Sequence, residues 1–204
     1  MPARRNIVML TRYRAWANRK LFVQHLAYGR HFIMLGIAAV VLFLFNQWDL
    51  YGEPFLPTFA LSGALHALAL ITALRGGAGR VRKGLFVAAV ALLSVLTLYL
   101  GILSLQLLAP LPATERLYLV LGICSMSGAI IYGSLVRWFW MKNLAPRSIL
   151  AIAVACVPAT CLAFLARTHF EFLNAWVLAA AWWFAFSAGL CCFDRLAKPH
   201  QERR

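Results

Sequence analysis

Residues 55–74 read FLPTFALSGALHALALITAL. The stretch carries no Lys, Arg, Asp or Glu and runs for about twenty residues, the length a helix needs to cross the hydrocarbon core of a bilayer. One ionisable group, His66, lies near its centre. Ser62 and Gly63 precede it by one helical turn, and Ala69 and Ala73 follow at helical spacing, so they share its face. That face is too polar to prefer lipid. It predicts a membrane helix that turns His66 into a bundle, toward partners on other helices.

The remainder of the chain repeats the pattern. Hydrophobic residues make up 63% of the sequence, against about 45–50% in ordinary soluble domains. Apolar spans fall at about 31–48, 85–108, 117–139, 148–166 and 172–193, which with 55–74 makes six. Connections are short, and Pro54, Pro57, Pro110, Pro112 and Pro146 mark their edges. The fold class is therefore all-α: a polytopic membrane protein built as a six-transmembrane-helix bundle.

Charge sets the expected topology. The net charge is +14 with 20 Lys and Arg. Their placement between apolar spans points to topology and to attraction toward anionic lipid rather than to nucleic acid, for which no motif is present. Basic residues cluster before the first span, after the second (Arg75, Arg80, Arg82, Lys83), after the fourth (Arg137, Lys142, Arg147) and in the tail. Only Arg116 and Arg167 of the 20 fall in the alternate loops. Those loops hold Asp49, Glu53, Glu115 and Glu171, most of the acidic residues. The positive-inside rule places the basic side in the cytoplasm, with both termini there. A five-span or seven-span arrangement would break this alternation. Trp48, Trp138, Trp140 and Trp176 sit at span ends, as interfacial belts require, whereas Trp182 and Trp183 sit near mid-span. The expected location is a plasma membrane, the bacterial inner membrane.

Three segments follow: a basic amphipathic stretch over 1–30, the membrane domain over 31–193, and a basic tail over 194–204. The apolar run Ile7–Leu10 is too short for the core of a signal peptide, so the first span is expected to act as its own insertion signal. Over 7–28, Met9, Tyr13, Trp16, Val23 and Ala27 share one helical face and Arg12, Arg14, Asn18 and Arg19 the other. This predicts an interfacial helix on the cytoplasmic surface, in contact with anionic lipid. The string RYRAWANRKL (12–21) resembles the opening helix of DinB-type helical bundles, and nothing downstream continues that resemblance.

Within lipid, helices associate through close packing of small residues. Such stripes occur at Ala151, Ala155, Ala159 and Ala163, at Ser125, Ala129 and Gly133, at Ala181, Ala185 and Gly189, and at Ser94, Thr97, Gly101 and Ser104. The last stripe, with Tyr99 and Gln106 nearby, can also line a pathway, although Ser and Thr that bond back to their own helix are the favoured reading. Pro158 removes a backbone hydrogen bond inside the fifth span.

The candidate ligand or proton pathway is His66 with Ser62, Ser94, Thr97 and Tyr99. An intramembrane histidine can relay protons, ligate a metal or hydrogen-bond a quinone, and the weighing narrowly favours interhelical glue over these roles. No other ionisable side chain is expected at its depth; His25 and His31 are placed at the inner edge. A second constellation, Asp49, Glu53, His169 and Glu171 with Glu115, is where a cation or substrate would gather at the outer face, although acidic outer loops need no ligand to explain them. Trp182 and Trp183 are adjacent and point about 100° apart, so at most one is expected to face any given pocket. The five cysteines lack metal-ligand spacing and read as small apolar residues. No cofactor and no metal site is expected.

No serine elbow, HExxH, paired intramembrane aspartate or phosphate loop is present. The leading function is a small transporter, a channel or the membrane subunit of a larger complex, with a protein partner or a second copy as further possibilities. The alternatives are a membrane enzyme or redox protein acting on a lipid or quinone, and a scaffold or assembly factor. Enzymatic activity is disfavoured because the lone histidine has no partner base.

Overall fold

The structure, a computed structural model, describes residues 28–48, 55–73, 79–142, 144–170 and 176–197. All regular structure among the described residues is helical, in six helices: α1 (Tyr28–Trp48), α2 (Phe55–Ala73), α3 (Arg80–Leu107), α4 (Ala113–Phe139), α5 (Pro146–His169) and α6 (Trp176–Ala197). By length and composition, α3, α4 and α5 are each able to cross a bilayer; the apolar stretches described in α1, α2 and α6 are shorter. The interfacial segment expected before Tyr28 lies outside the described residues, as do Asp49, Glu53, Glu171 and the tail beyond Ala197.

Two helices run past their apolar spans. α3 begins at Arg80 rather than near 85, so Arg80, Arg82 and Lys83 stand on a helix and not in a loop. The cause is local: Gly79 holds an extended backbone at the cap (φ −57°, ψ 147°), and nothing after it breaks the helix. Hydropathy marks where lipid contact is expected, not where backbone hydrogen bonding stops. α6 likewise continues to Ala197, which brings Asp194 and Arg195 into the helix instead of the tail. Elsewhere the ends follow familiar chemistry. Pro146 opens α5 at a position where a missing N–H costs nothing. Glu115 in the first turn of α4 and Arg137 in its last complement the helix dipole.

Each helix packs on its neighbours in sequence, and α1 packs on α6, so the six close into a ring. Close approach along the seams depends on small residues. A Cβ on Gly133 of α4 would lie 2.7 Å from Ile149 Cγ2, and one on Gly189 of α6 would lie 2.9 Å from Ile152 Cγ1. α5 thus presents two branched side chains, each seated over a glycine of a flanking helix. Its buried face is Ile149, Ile152, Ala153, Cys156, Thr160 and Ala163. The alanine stripe expected to pack α5 does not do so as a unit: Ala151 and Ala155 are exposed. The reason is complementarity. Glycines on α4 and α6 need bulk opposite them, and only the isoleucine face of α5 supplies it. The stripe on α4 does pack inward, with Ser125, Ala129 and Gly133 all buried.

The stripe on α3 bonds to its own helix. Ser94 Oγ donates to the Val90 carbonyl at 3.1 Å, and Thr97 Oγ1 donates to the Leu93 carbonyl at 2.9 Å. On the other side of the ring, Trp182 Nε1 donates to the Ser125 carbonyl at 3.0 Å. Ser125 Oγ pairs with Thr160 Oγ1 at 3.1 Å, so α4, α5 and α6 are joined by one polar chain.

Candidate functional site at the centre of the ring

His66 is 2% exposed. Its helix, α2, touches α1 and α3 as ring neighbours, yet the imidazole reaches across the ring to α4 and α6. It stacks on Tyr132 of α4, with centroids 4.7 Å apart and planes at 27°. Its contact with Trp183 of α6 is also stacked, at 5.4 Å and 21°. Trp182 and Phe186 meet the imidazole edge-on, at 5.7 Å and 82° and at 6.2 Å and 89°. Tyr132 in turn contacts Phe186 at 4.7 Å and Trp182 at 5.9 Å. Three alternate helices therefore fill the centre of the ring with aromatic side chains, and His66 is the imidazole among them. Each such pair contributes roughly 0.5–1.5 kcal/mol beyond its buried area.

Both tryptophans touch His66, where one was expected. Their side chains do diverge, but the imidazole sits opposite the gap between them, meeting one ring by face and the other by edge.

Two polar atoms at this centre, His66 Nε2 and the Tyr132 hydroxyl, have no hydrogen-bond partner among the described residues. Burying such a group unpaired costs roughly 1–3 kcal/mol. The hydroxyls expected to serve His66 are engaged or distant. Ser94 and Thr97 bond within α3, and Tyr99 is 53% exposed on the outside of the bundle. Ser62 is buried one turn before His66. His169 is exposed in the last turn of α5, and Glu115 is exposed in the first turn of α4.

His31 departs furthest from its expected place. It is fully buried inside the bundle, against Ala69, less than one turn from His66 on α2. Nδ1 lies 3.3 Å from the Ala69 carbonyl of α2, and Nε2 lies 2.9 Å from Ser187 Oγ of α6. A carbonyl only accepts, so Nδ1–H is the donor there; in the neutral ring Nε2 then accepts from the Ser187 hydroxyl. The residue ties α1, α2 and α6 together where the ring closes. Both of its nitrogens are occupied, in contrast to His66. Among the described residues no three His, Cys, Asp or Glu gather as a metal site.

Sequence reasoning singled out His66 and missed Tyr132, His31 and Ser187. One signal was present for Tyr132: a large aromatic side chain inside the small-residue stripe of α4, between Ala129 and Gly133. Comparison with protein families, with curated proteins and with solved structures finds no match to this chain.

Proposed function

We propose that the chain is a six-span integral membrane protein of the bacterial inner membrane, with both termini cytoplasmic. Residues 31–193 form its membrane domain, and basic segments over 1–30 and 194–204 flank it. Its proposed activity is that of a small proton-linked transporter, in which His66 is the group that takes and releases the proton or holds the solute. One observation carries this reading: a titratable side chain with an unpartnered nitrogen lies where α2, α4 and α6 converge. Ionisable residues inside membrane bundles are costly and are functional by default.

Tyr132 and Trp183 stack on the imidazole, and their faces offer cation–π attraction whenever the ring carries a proton. A second reading, a quinone-binding redox protein, is favoured by the same rings together with the two free polar groups. Quinone co-purifying with the protein in stoichiometric amount would support it over transport.

The experiment is proton flux into proteoliposomes that enclose pyranine, after an imposed pH step. His66→Gln keeps a hydrogen-bonding group of similar reach but takes up no proton in this range. The expected result is a folded His66→Gln protein with flux reduced to the level of empty vesicles. Full flux in that variant would reduce His66 to interhelical glue, in which case His66→Ala should lose stability through the ring contacts it gives up, each worth roughly 0.5–1.5 kcal/mol.

A further inference from the structure

The first turn of α3 and the end of α4 meet at one corner of the bundle. Arg82 donates to the Phe139 carbonyl, and its guanidinium lies over the Trp140 ring, 5.2 Å from the centroid. Trp140 itself is buried, with Met141 and Leu144 beside it. An arginine at a helix start is ordinarily free to move; here two contacts hold it in place. Around it the chain brings three more cations: Lys83 on the next position of α3, Arg137 in the last turn of α4, and exposed Lys142 in the turn that follows. The unpaired N–H groups of the first turn of α3 add partial positive charge at the same end. No acidic side chain is present in the stretches 79–84 or 136–147.

What separates this corner from an ordinary solvated basic face is the apolar surface beside it. Val81, adjacent to Arg82, is 76% exposed, and Trp138, adjacent to Arg137, is 74% exposed. Leu85, one turn along α3 from Val81, is also exposed. Arg82 and Lys83 in the first turn of α3, the Trp138 indole near the end of α4 and exposed Leu85 further along α3 bring cation, interfacial ring and aliphatic side chain together, as the phosphate, glycerol region and acyl chain of a phospholipid require. A soluble anion would leave the apolar side chains uncovered.

We propose that the α3–α4 corner is a binding site for an anionic phospholipid of the cytoplasmic leaflet. Arg82, Lys83, Arg137 and Lys142 take the headgroup phosphate, Trp138 lies at the glycerol region, and Leu85 lies against the start of the acyl chain. The site rests on the membrane reading given above and is distinct from the basic segment that precedes α1. Bound lipid joins α3 to α4 beside the contact of Arg82 with Trp140.

The test is thermal unfolding of the full chain in neutral detergent, titrated in turn with phosphatidylglycerol, phosphatidylcholine and inorganic phosphate. Phosphatidylglycerol is expected to raise the midpoint, and the other two are expected to leave it unchanged. In Arg82→Gln/Lys142→Gln the half-saturating phosphatidylglycerol concentration should rise on the order of thirty-fold, and in Lys142→Gln alone about five-fold. Lys142 is exposed on a turn, so the single variant keeps the test valid if loss of the Arg82 contacts impairs folding. Arg116→Gln, at the opposite end of α4, should behave as wild type. Lipid held by the N-terminal segment is common to all variants and drops out of the comparison. Equal response to phosphatidylcholine, equal response to inorganic phosphate, or an unshifted double variant would each overturn the proposal. Alkaline carbonate keeps the two readings apart: a chain that resists extraction but shows no lipid preference loses the site only, whereas a chain released into the wash was never integral.

Discussion

Tyr132→Ala is expected to cost about 3–5 kcal/mol of stability, whereas Tyr132→Phe should raise the thermal midpoint. The ring and the hydroxyl of this residue act in opposite directions. The ring is 1% exposed and touches His66, Phe86, Trp182 and Phe186, so α2, α3 and α6 all meet α4 through it. Removing it leaves a cavity at the centre of the ring of helices, with no side chain placed to refill it. The hydroxyl, by contrast, is buried without a partner among the described residues. Deleting it removes a desolvation penalty of roughly 1–3 kcal/mol and leaves the packing intact. A buried hydroxyl left unpaired calls for a reason beyond folding, and a task at this site supplies one. Tyr132→Phe should therefore be more stable than wild type and weaker in proteoliposome proton flux. Intrinsic tryptophan fluorescence during heating, together with the pyranine assay, measures both. A Phe variant as unstable as the Ala variant would show that the hydroxyl is bonded after all.

Gly63→Ala is expected to be the most damaging of the glycine substitutions. The new methyl would stand 2.6 Å from the Val90 carbonyl oxygen of α3 and would also strike the Ser94 side chain. A carbonyl in mid-helix cannot yield without moving α3, which would open the seam next to His66. Gly133→Ala creates a contact almost as short, 2.7 Å, but with the Cγ2 branch methyl of Ile149, a side-chain atom rather than backbone. Overpacking costs typically about 1–3 kcal/mol. Gly63→Ala should fall at or above the top of that range and Gly133→Ala within it, measured as thermal midpoints in the same detergent. Equal midpoints would mean that α3 moves freely against α2.

The helices themselves were legible because their causes are local. Runs without charge, closed off by Pro54, Pro112 and Pro146, locate six elements with little ambiguity. Ends were less legible, since Arg80–Lys83 and Asp194–Ala197 are polar or short enough to read as loop while their backbones continue the helix. His66 was legible as the single ionisable group in an uncharged span. Its surroundings were not. Tyr132 and Trp183 come from α4 and α6, which are not neighbours of α2 in sequence, and meet it only because α1 packs on α6 and closes the ring. Closure also explains His31: depth along its own helix puts it near the edge, but Ala69 and Ser187 enclose it from α2 and α6. Hydroxyls on α3 attracted attention because they share a stripe, and a stripe alone does not show whether a hydroxyl serves a ligand or its own backbone.

Cysteine accessibility bears most directly on the central claim, that the six helices are six spans with both termini in the cytoplasm. Cys124, Cys156, Cys161, Cys191 and Cys192 are replaced first, and single cysteines are then introduced at Glu115, His169, Arg80 and Lys142. In intact cells an impermeant maleimide is expected to label positions 115 and 169 and to leave 80 and 142 unmodified until the membrane is opened. Labelling of position 80 or 142 in intact cells, or equal labelling of all four, would contradict the account.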